Sequence, residues 1–486
     1  MNDIFKTKSI TNLLNQANSK DGLKRTLGAT NLVLLGIGAI IGAGLFVRTA
    51  AAAAQAAGPS VTLSFVIAAI GCAFAGLCYA EFAAMIPIAG SAYTYAYATM
   101  GEIVAWIIGW ALIMEYALGA ATVSIAWSEY LNNLLGGAIP YQWCHSPFES
   151  NAGVSGIINF PALVILLALT LLLIKGTQES ASVNGVIVVI KVAIVLIFIA
   201  VGWGFINPAN HTPYFIPDNT VGHEGLFKHG YGGTLGGAAI VFFAFIGFDA
   251  VSTAAQEAKN PAKDMPIGIL GSLIVCTVLY ILFGYVLTGV ANWQDFADPA
   301  KGKEASVAFA ITTYMHGYGW LSTAVTIAIL AGFSSVILVM LMGQSRVFFS
   351  MSKDGLIPKI FADLHPKYRT PYKSNWILFV FVGLFAALVP GSIAGDLTSF
   401  GTLFAFVLVS AGVLIMRKKN PNLARPFRTP LVPLVPILGV IICTGMIVAI
   451  DVVTLQAAAI WMAIGLVVYF TYSKKNSAIQ KGEDTE

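Results

Sequence analysis

Lys191 lies inside an apolar run, VNGVIVVIKVAIVLIFIAVGW, with no second charge near it. The run enters the bilayer near Ala181, so a rise of about 1.5 Å per residue places Lys191 roughly 15 Å deep. That depth is close to the midplane of a hydrocarbon core about 30 Å thick. A lysine there cannot snorkel to either surface and must face other helices or a wet cavity. Holding a charge at that depth costs at least about 2.5 kcal/mol on insertion scales, and function is the reading that accounts for it. Asp249 and Glu115 share the setting. Asp249 follows Gly247 by two residues and reads either as a gate or proton site or as a cap on the helix that follows. Glu115, about 18 Å along its span from Ile103, reads as a proton relay or as a structural hydrogen-bond partner. Glu81 sits at the inner end of its span, where pairing with basic residues competes with gating. Arg48 reads either as an anion-orienting group of the outer vestibule or as a side chain reaching the interface.

Two glycine-rich segments can open a backbone. Gly36, Gly38, Gly42 and Gly44 fall within nine residues of one apolar stretch, each weakening a helix by about 1 kcal/mol relative to Ala. Close helix packing through small residues is the competing reading. The second segment runs from Gly232, Gly233, Gly236 and Gly237 to Phe243-Ala-Phe245-Ile-Gly247-Phe-Asp249. Paired interruptions at corresponding places of two halves point to an inverted-repeat transporter. Backbone freed inside a membrane is tolerated only where it lines a cavity or meets a ligand. Freed N–H groups suit a carboxylate and freed carbonyls suit an ammonium. An α-amino acid carries both.

The elements that must hold these groups follow from composition. Of 486 residues, 57% are hydrophobic and 10% charged, with a mean hydropathy of +0.80, against about 25% charged in a soluble domain. The chain is an all-α polytopic membrane protein. Twelve stretches are expected to span, near 32–55, 61–86, 102–129, 160–174, 181–206, 234–256, 268–290, 319–345, 375–390, 397–416, 431–450 and 455–473. With both termini in the cytoplasm, only Lys228, Lys301 and Lys303 fall outside and only Arg48 and Lys191 within spans; every other Lys and Arg lies inside. The expected layout is a cytoplasmic tail over 1–30 with no cleavable signal peptide, a transport core over 31–430, two further spans over 431–473 and a cytoplasmic tail over 474–486. The basic clusters are an orientation signal, so no nucleic-acid partner is expected. Of five cysteines, four lie in spans as small apolar packers and Cys144 is alone in an outer loop. No metal-ligand cluster, phosphate-binding loop or nucleophile triad has a credible context, so the chain is read as neither an enzyme nor ATP-driven, with no cofactor and no metal.

Five motifs in order carry a resemblance. GIGAIIGAGLF followed by AGPSVTLSF resembles the opening of the amino acid–polyamine–organocation superfamily. GLCYAEFAAMIPIAGSAYTYAY, FFAFIGFDAVSTAAQEAKNPAKDMPIGI, GQSRVFFSMSKDGLIPKIFADLHPKYRTPY and PNLARPFRTPLVPLVPILG narrow it to the cationic amino acid transporter branch and its bacterial proton-coupled members. The resemblance covers residues 25–473.

That resemblance implies a leucine-transporter-type fold. Twelve transmembrane helices would be arranged as a five-plus-five inverted repeat, with discontinuous helices 1 and 6, plus two more. It also implies amino acid transport by alternating access across the cytoplasmic membrane. The substrate site carried over is Ile40, Ile41, Gly42, Ala43 and Gly44 with Phe243, Ala244, Phe245 and Ile246. Gly42 to Gly44 would bind the carboxylate; carbonyls near Ile40 and Phe243 to Ile246 would bind the amino group. Lys191 matches a lysine of the proton-coupled members, where the proton is the coupling ion. When charged it would tie its span to freed carbonyls near Gly42, and when neutral release them; a fixed structural cation is the competing reading. Asp249 and Glu115 join it as proton-coupling or gating candidates. No acid awaits a cationic side chain, so a neutral amino acid, small or aliphatic, is the expected substrate. Proton-coupled uptake competes with exchange, with cationic amino acid or polyamine carriage, and with a non-transporting receptor. The expected partners are the lipid bilayer and the substrate, with room for a small single-helix membrane partner.

Overall fold

The computed structural model describes residues 2–17, 25–42, 44–151, 153–297, 306–448, 450 and 452–482. Helices dominate it. After α1 (Ile10–Ala17) come α2 (Ala29–Ile40), α3 (Thr49–Ala52), α4 (Val61–Met85), α5 (Ala92–Thr99), α6 (Glu102–Leu134), α7 (Phe160–Lys175) and α8 (Thr177–Gly202). The second half holds α9 (Gly230–Phe242), α10 (Ala250–Thr253), α11 (Pro261–Val290), α12 (Ser306–Tyr314), α13 (Gly319–Lys353), α14 (Tyr372–Leu388), α15 (Gly391–Lys419), α16 (Leu434–Val448) and α17 (Val452–Val468). The only strands among the described residues are Ser150–Asn151 and Val154–Ser155, paired antiparallel in the loop after α6.

Among the described residues, eight helical segments are long and apolar enough to cross a membrane, and four shorter apolar helices, Ala29–Ile40, Phe160–Lys175, Tyr372–Leu388 and Leu434–Val448, accompany them. The expected first span, 32–55, is not one helix. It stops at Ile40 and restarts at Gly44 as a π turn through Arg48, then α3, then a second π turn over Ala53–Ala57. The expected sixth span starts earlier, at Gly230, and its α-helix ends at Phe242.

Burial separates two roles for the helices. Only about a third of the apolar window of the segment around α8 is buried, against 83% for α6 and 78% for α13. The latter two are hydrophobic all round and lie inside the bundle. α2 packs against α8, α11 and α13; α6 packs against α13 and α15. These contacts set the first broken segment against α8, α11 and α13, and α10 of the second packs against α2, α11 and α13.

Buried ion pairs tie the end where the N-terminal segment docks. Lys8 bonds the Asp354 carboxylate, whose second oxygen accepts from the Tyr93 hydroxyl at 2.6 Å. Arg346 Nε donates to Glu257 at 2.5 Å. Glu81 receives Arg417 through both its oxygens, at 3.1 and 2.7 Å, and the Thr429 N–H at 2.7 Å. Pairing, the first of the two readings of Glu81, is its observed state. Tyr93, Tyr95 and Tyr97 are core residues, at most 1% exposed.

Candidate site at two helix breaks

The first break begins at the C-terminal end of α2, at Ile40. Ile41 turns to φ −77° and ψ 101° while its N–H still bonds the Ile37 carbonyl. Past the break, the Leu45 and Phe46 N–H groups return to the Gly42 carbonyl at 3.2 and 3.5 Å. The second break follows the same pattern: Phe243–Phe245 form one 3-10 turn and Ile246 is extended. Gly247 has φ +112°, a conformation that favours glycine. A Cβ there would come 2.8 Å from the Ala39 Cβ and 3.1 Å from the Ala39 carbonyl carbon. One on Gly44 would overlap the Ala244 Cα. The two breaks therefore touch, and glycine is what lets them.

Lys191, fully buried on α8, reaches the first break. Its ammonium donates to the Gly38 carbonyl at 2.9 Å, the Ile41 carbonyl at 2.7 Å and the Ser335 hydroxyl of α13 at 2.7 Å. An ammonium has three donors, and all three are used without an acid. The Ser335 hydroxyl also lies 2.8 Å from the Gly38 carbonyl. Helix 8, helix 13 and the open end of α2 thus share one knot of hydrogen bonds.

Tyr280 of α11 makes the second tie. Its hydroxyl lies 2.7 Å from the Ile40 carbonyl and 2.9 Å from the Ala244 carbonyl, bridging the two breaks. Those two carbonyls were expected among the acceptors for an amino group, so an incoming ammonium must share or displace this hydroxyl.

Between the breaks and the inner helices lies a cavity with about 20 Å³ of open space, room for about one water. Ala39, Ile40, Gly42, Gly44, Phe243 and Ile246 line the broken side. Gly119, Val123, Val336, Met340 and Thr398 line the other. Among the described residues, no charged side chain lines it. It offers backbone polarity on one wall and apolar surface on the other, which matches an amino acid with an uncharged side chain.

The expected site residues divide. Ile40, Gly42, Gly44, Phe243 and Ile246 face this cavity. Ile41 instead gives its carbonyl to Lys191, and Ala244 is the surface against which Gly44 packs. The Phe245 ring turns into an aromatic cluster, 5.3 Å from Tyr280 and 6.3 Å from Phe65. Ala43 lies outside the described residues. Asp249 does not cap α10 with its side chain; one oxygen accepts from the Tyr116 hydroxyl at 3.1 Å and the other has no partner. Glu115 is fully buried, beside Asp249 and Thr402. Arg48, half-buried, lies with its guanidinium 5.1 Å from the centre of the Phe243 ring, above a residue that lines the cavity.

Sequence reasoning missed Tyr280, Ser335 and the whole wall on α6, α13 and α15. The one signal available was spacing: Gly119 with Val123 and Val336 with Met340 are four apart, one helical face each.

The family model described as amino acid permease matches residues 27–471. The branched-chain amino acid permease BcaP of Bacillus subtilis (strain 168) is 44% identical over 98% of this chain and 99% of its own length. The methylthioribose transporter of the same organism is 41% identical over 99% of this chain and all of its own. Cationic amino acid transporter 4 of Mus musculus is 33% identical over 85% of this chain and 64% of its own. The chain belongs to the amino acid permease family of the amino acid–polyamine–organocation superfamily.

Proposed function

We propose that this protein takes up neutral aliphatic amino acids across the cytoplasmic membrane, coupled to protons, by alternating access. The observation that carries the reading is the cavity itself, with freed backbone on one wall, only uncharged side chains on the other and Lys191 tying the break from behind. The substrate's carboxylate lies toward the backbone at Gly42 and Gly44, its ammonium toward the carbonyl ends of the two breaks. Its side chain lies toward α6, α13 and α15. Proton coupling rests on Lys191, with the buried carboxyls of Asp249 and Glu115 as further proton-carrying or gating groups.

In this reading the eight long and four short apolar segments make up twelve spans, with Ala29–Ile40 and the start of Gly44–Met85 forming the first and the rest of Gly44–Met85 the second. The first ten, over 31–430, form two inverted repeats of five whose leading helices are the broken ones, and 431–473 adds two more. Both termini are cytoplasmic. No cofactor or metal takes part.

The 41% identical relative named for methylthioribose transport supports a second reading, because that molecule lacks the α-amino and α-carboxyl groups. One experiment separates the two. Purified protein in liposomes is offered radiolabelled alanine, valine, leucine, isoleucine, lysine and methylthioribose, with and without an acid-outside pH gradient. Gradient-stimulated uptake of the aliphatic amino acids is expected. Uptake of methylthioribose alone, or uptake indifferent to the gradient, overturns the reading.

A further inference from the structure

Gly119 sits mid-way along α6, the most buried of the long helices. Glycine in a helix interior costs about 1 kcal/mol relative to alanine, so its presence calls for a local cause. Backbone conformation is not the cause, because Gly119 is not among the residues of positive φ. Close helix crossing is not the cause either. Where crossing demands glycine here, a Cβ would meet backbone: Gly44 would meet Ala244, and Gly401 would meet the Ala111 carbonyl oxygen at 3.0 Å. The three atoms nearest a Cβ on Gly119 would all belong to side chains: Thr398 Cγ2 at 3.3 Å, Met340 Sδ at 3.7 Å and Thr398 Oγ1 at 3.9 Å. Gly119, Met340 and Thr398 all line the cavity. The space over Gly119 is cavity, opposite the two breaks.

We propose that Gly119 sets the depth of the subsite for the substrate's side chain, and that any Cβ at this position lowers the upper limit of side-chain size. This rests on the reading of the cavity as the amino acid site. The subsite floor is the bare α6 backbone, flanked by the unbranched, adaptable Met340 and by Thr398. Apart from the Met340 sulfur, the Thr398 hydroxyl is the one side-chain heteroatom among the lining residues. Selection at the floor is therefore by volume: an aliphatic or thioether side chain enters, and its length is what Gly119 meets. In an apolar pocket one methylene changes discrimination by about 10–200-fold, and a methyl on Gly119 removes about that much room.

The test is competition binding on the purified full-length protein, with radiolabelled alanine as tracer and alanine, 2-aminobutyrate, valine and leucine as competitors. Gly119→Ala is expected to lower the ratio of leucine to alanine affinity at least tenfold, with valine and 2-aminobutyrate graded between. Combining it with Thr398→Ser removes the Cγ2 that the new methyl would meet, and is expected to restore most of the ratio. Thr398→Ser alone, which deepens the same spot in a protein that keeps its glycine, is expected to raise the ratio and decides the matter if Gly119→Ala does not fold. A ratio unchanged in the folded variants overturns the role of Gly119. A wild-type protein that binds no aliphatic amino acid overturns the reading of the cavity instead, so the two failures are distinct.

Discussion

Replacing Lys191 with alanine is the sharpest perturbation, because the structure states what is lost. Three hydrogen bonds disappear, to the carbonyls of Gly38 and Ile41 and to the Ser335 hydroxyl. The Gly38 carbonyl keeps a partner, since Ser335 already donates to it at 2.8 Å. The Ile41 carbonyl is left without this partner inside the bundle. A buried polar group in that state costs about 1–3 kcal/mol, and the cost falls on the geometry of the first break. If that break forms the substrate site, affinity weakens by about five- to 140-fold at 1.4 kcal/mol per decade. Weakened binding alone therefore says nothing about coupling.

Accumulation separates the two roles. One pH unit is worth about 1.36 kcal/mol, so one proton per substrate supports at most about tenfold accumulation across a one-unit gradient. The assay is uptake of radiolabelled leucine into liposomes at several imposed gradients, with counterflow measured in the same preparation at substrate concentrations above the weakened affinity. If Lys191 carries the coupling proton, Lys191→Ala shows counterflow but an accumulation ratio near one at every gradient. If Lys191 is a fixed structural cation, the variant is less stable yet its residual transport still follows the gradient. Wild-type accumulation in Lys191→Ala refutes the coupling role outright.

Three further perturbations test the surrounding geometry. Gly44→Ala should abolish binding and also lower thermal stability, because the new methyl overlaps the Ala244 backbone rather than a flexible side chain; normal leucine binding by this variant removes Gly44 from the site. Asp249→Asn should slow uptake and counterflow more than it weakens equilibrium binding, since Asp249 bonds Tyr116 and is not among the residues lining the cavity; unchanged uptake and counterflow make the acid dispensable. Lys8→Ala leaves Asp354 buried beside Tyr93 alone, and breaking a buried pair costs about 3–5 kcal/mol, so a clear drop in melting temperature is expected; an unchanged melting curve refutes the tie.

What the sequence disclosed follows from which interactions are local. The breaks were legible at Gly36–Gly44 and at Phe243–Gly247, since glycine clustering acts on the helix that contains it. The depth of Lys191 was legible too, because a uniform apolar run fixes distance along an axis. The partners of Lys191 needed the third dimension. Its acceptors lie 153, 150 and 144 residues away in sequence, and Ser335 looks like any small residue in LAGFSSVILV. Tyr280 was invisible for the same reason: VLYILFGY reads as membrane-facing apolar sequence, and only the crossing of α11 with α2 brings its hydroxyl to both breaks. Phe245 shows a different limit. It sits inside the carried-over motif, yet in the 3-10 turn its ring points away from the cavity. A motif delivers a stretch of backbone; which side chains of that stretch meet the substrate depends on how the helix comes undone. The Tyr280 hydroxyl spans both broken helices and Lys191 holds one of them. A proton or substrate that displaces either group loosens the junction on which the cavity is built. If Lys191 carries the coupling proton and the cavity is the substrate site, coupling and recognition share one set of carbonyls, at Gly38, Ile40, Ile41 and Ala244.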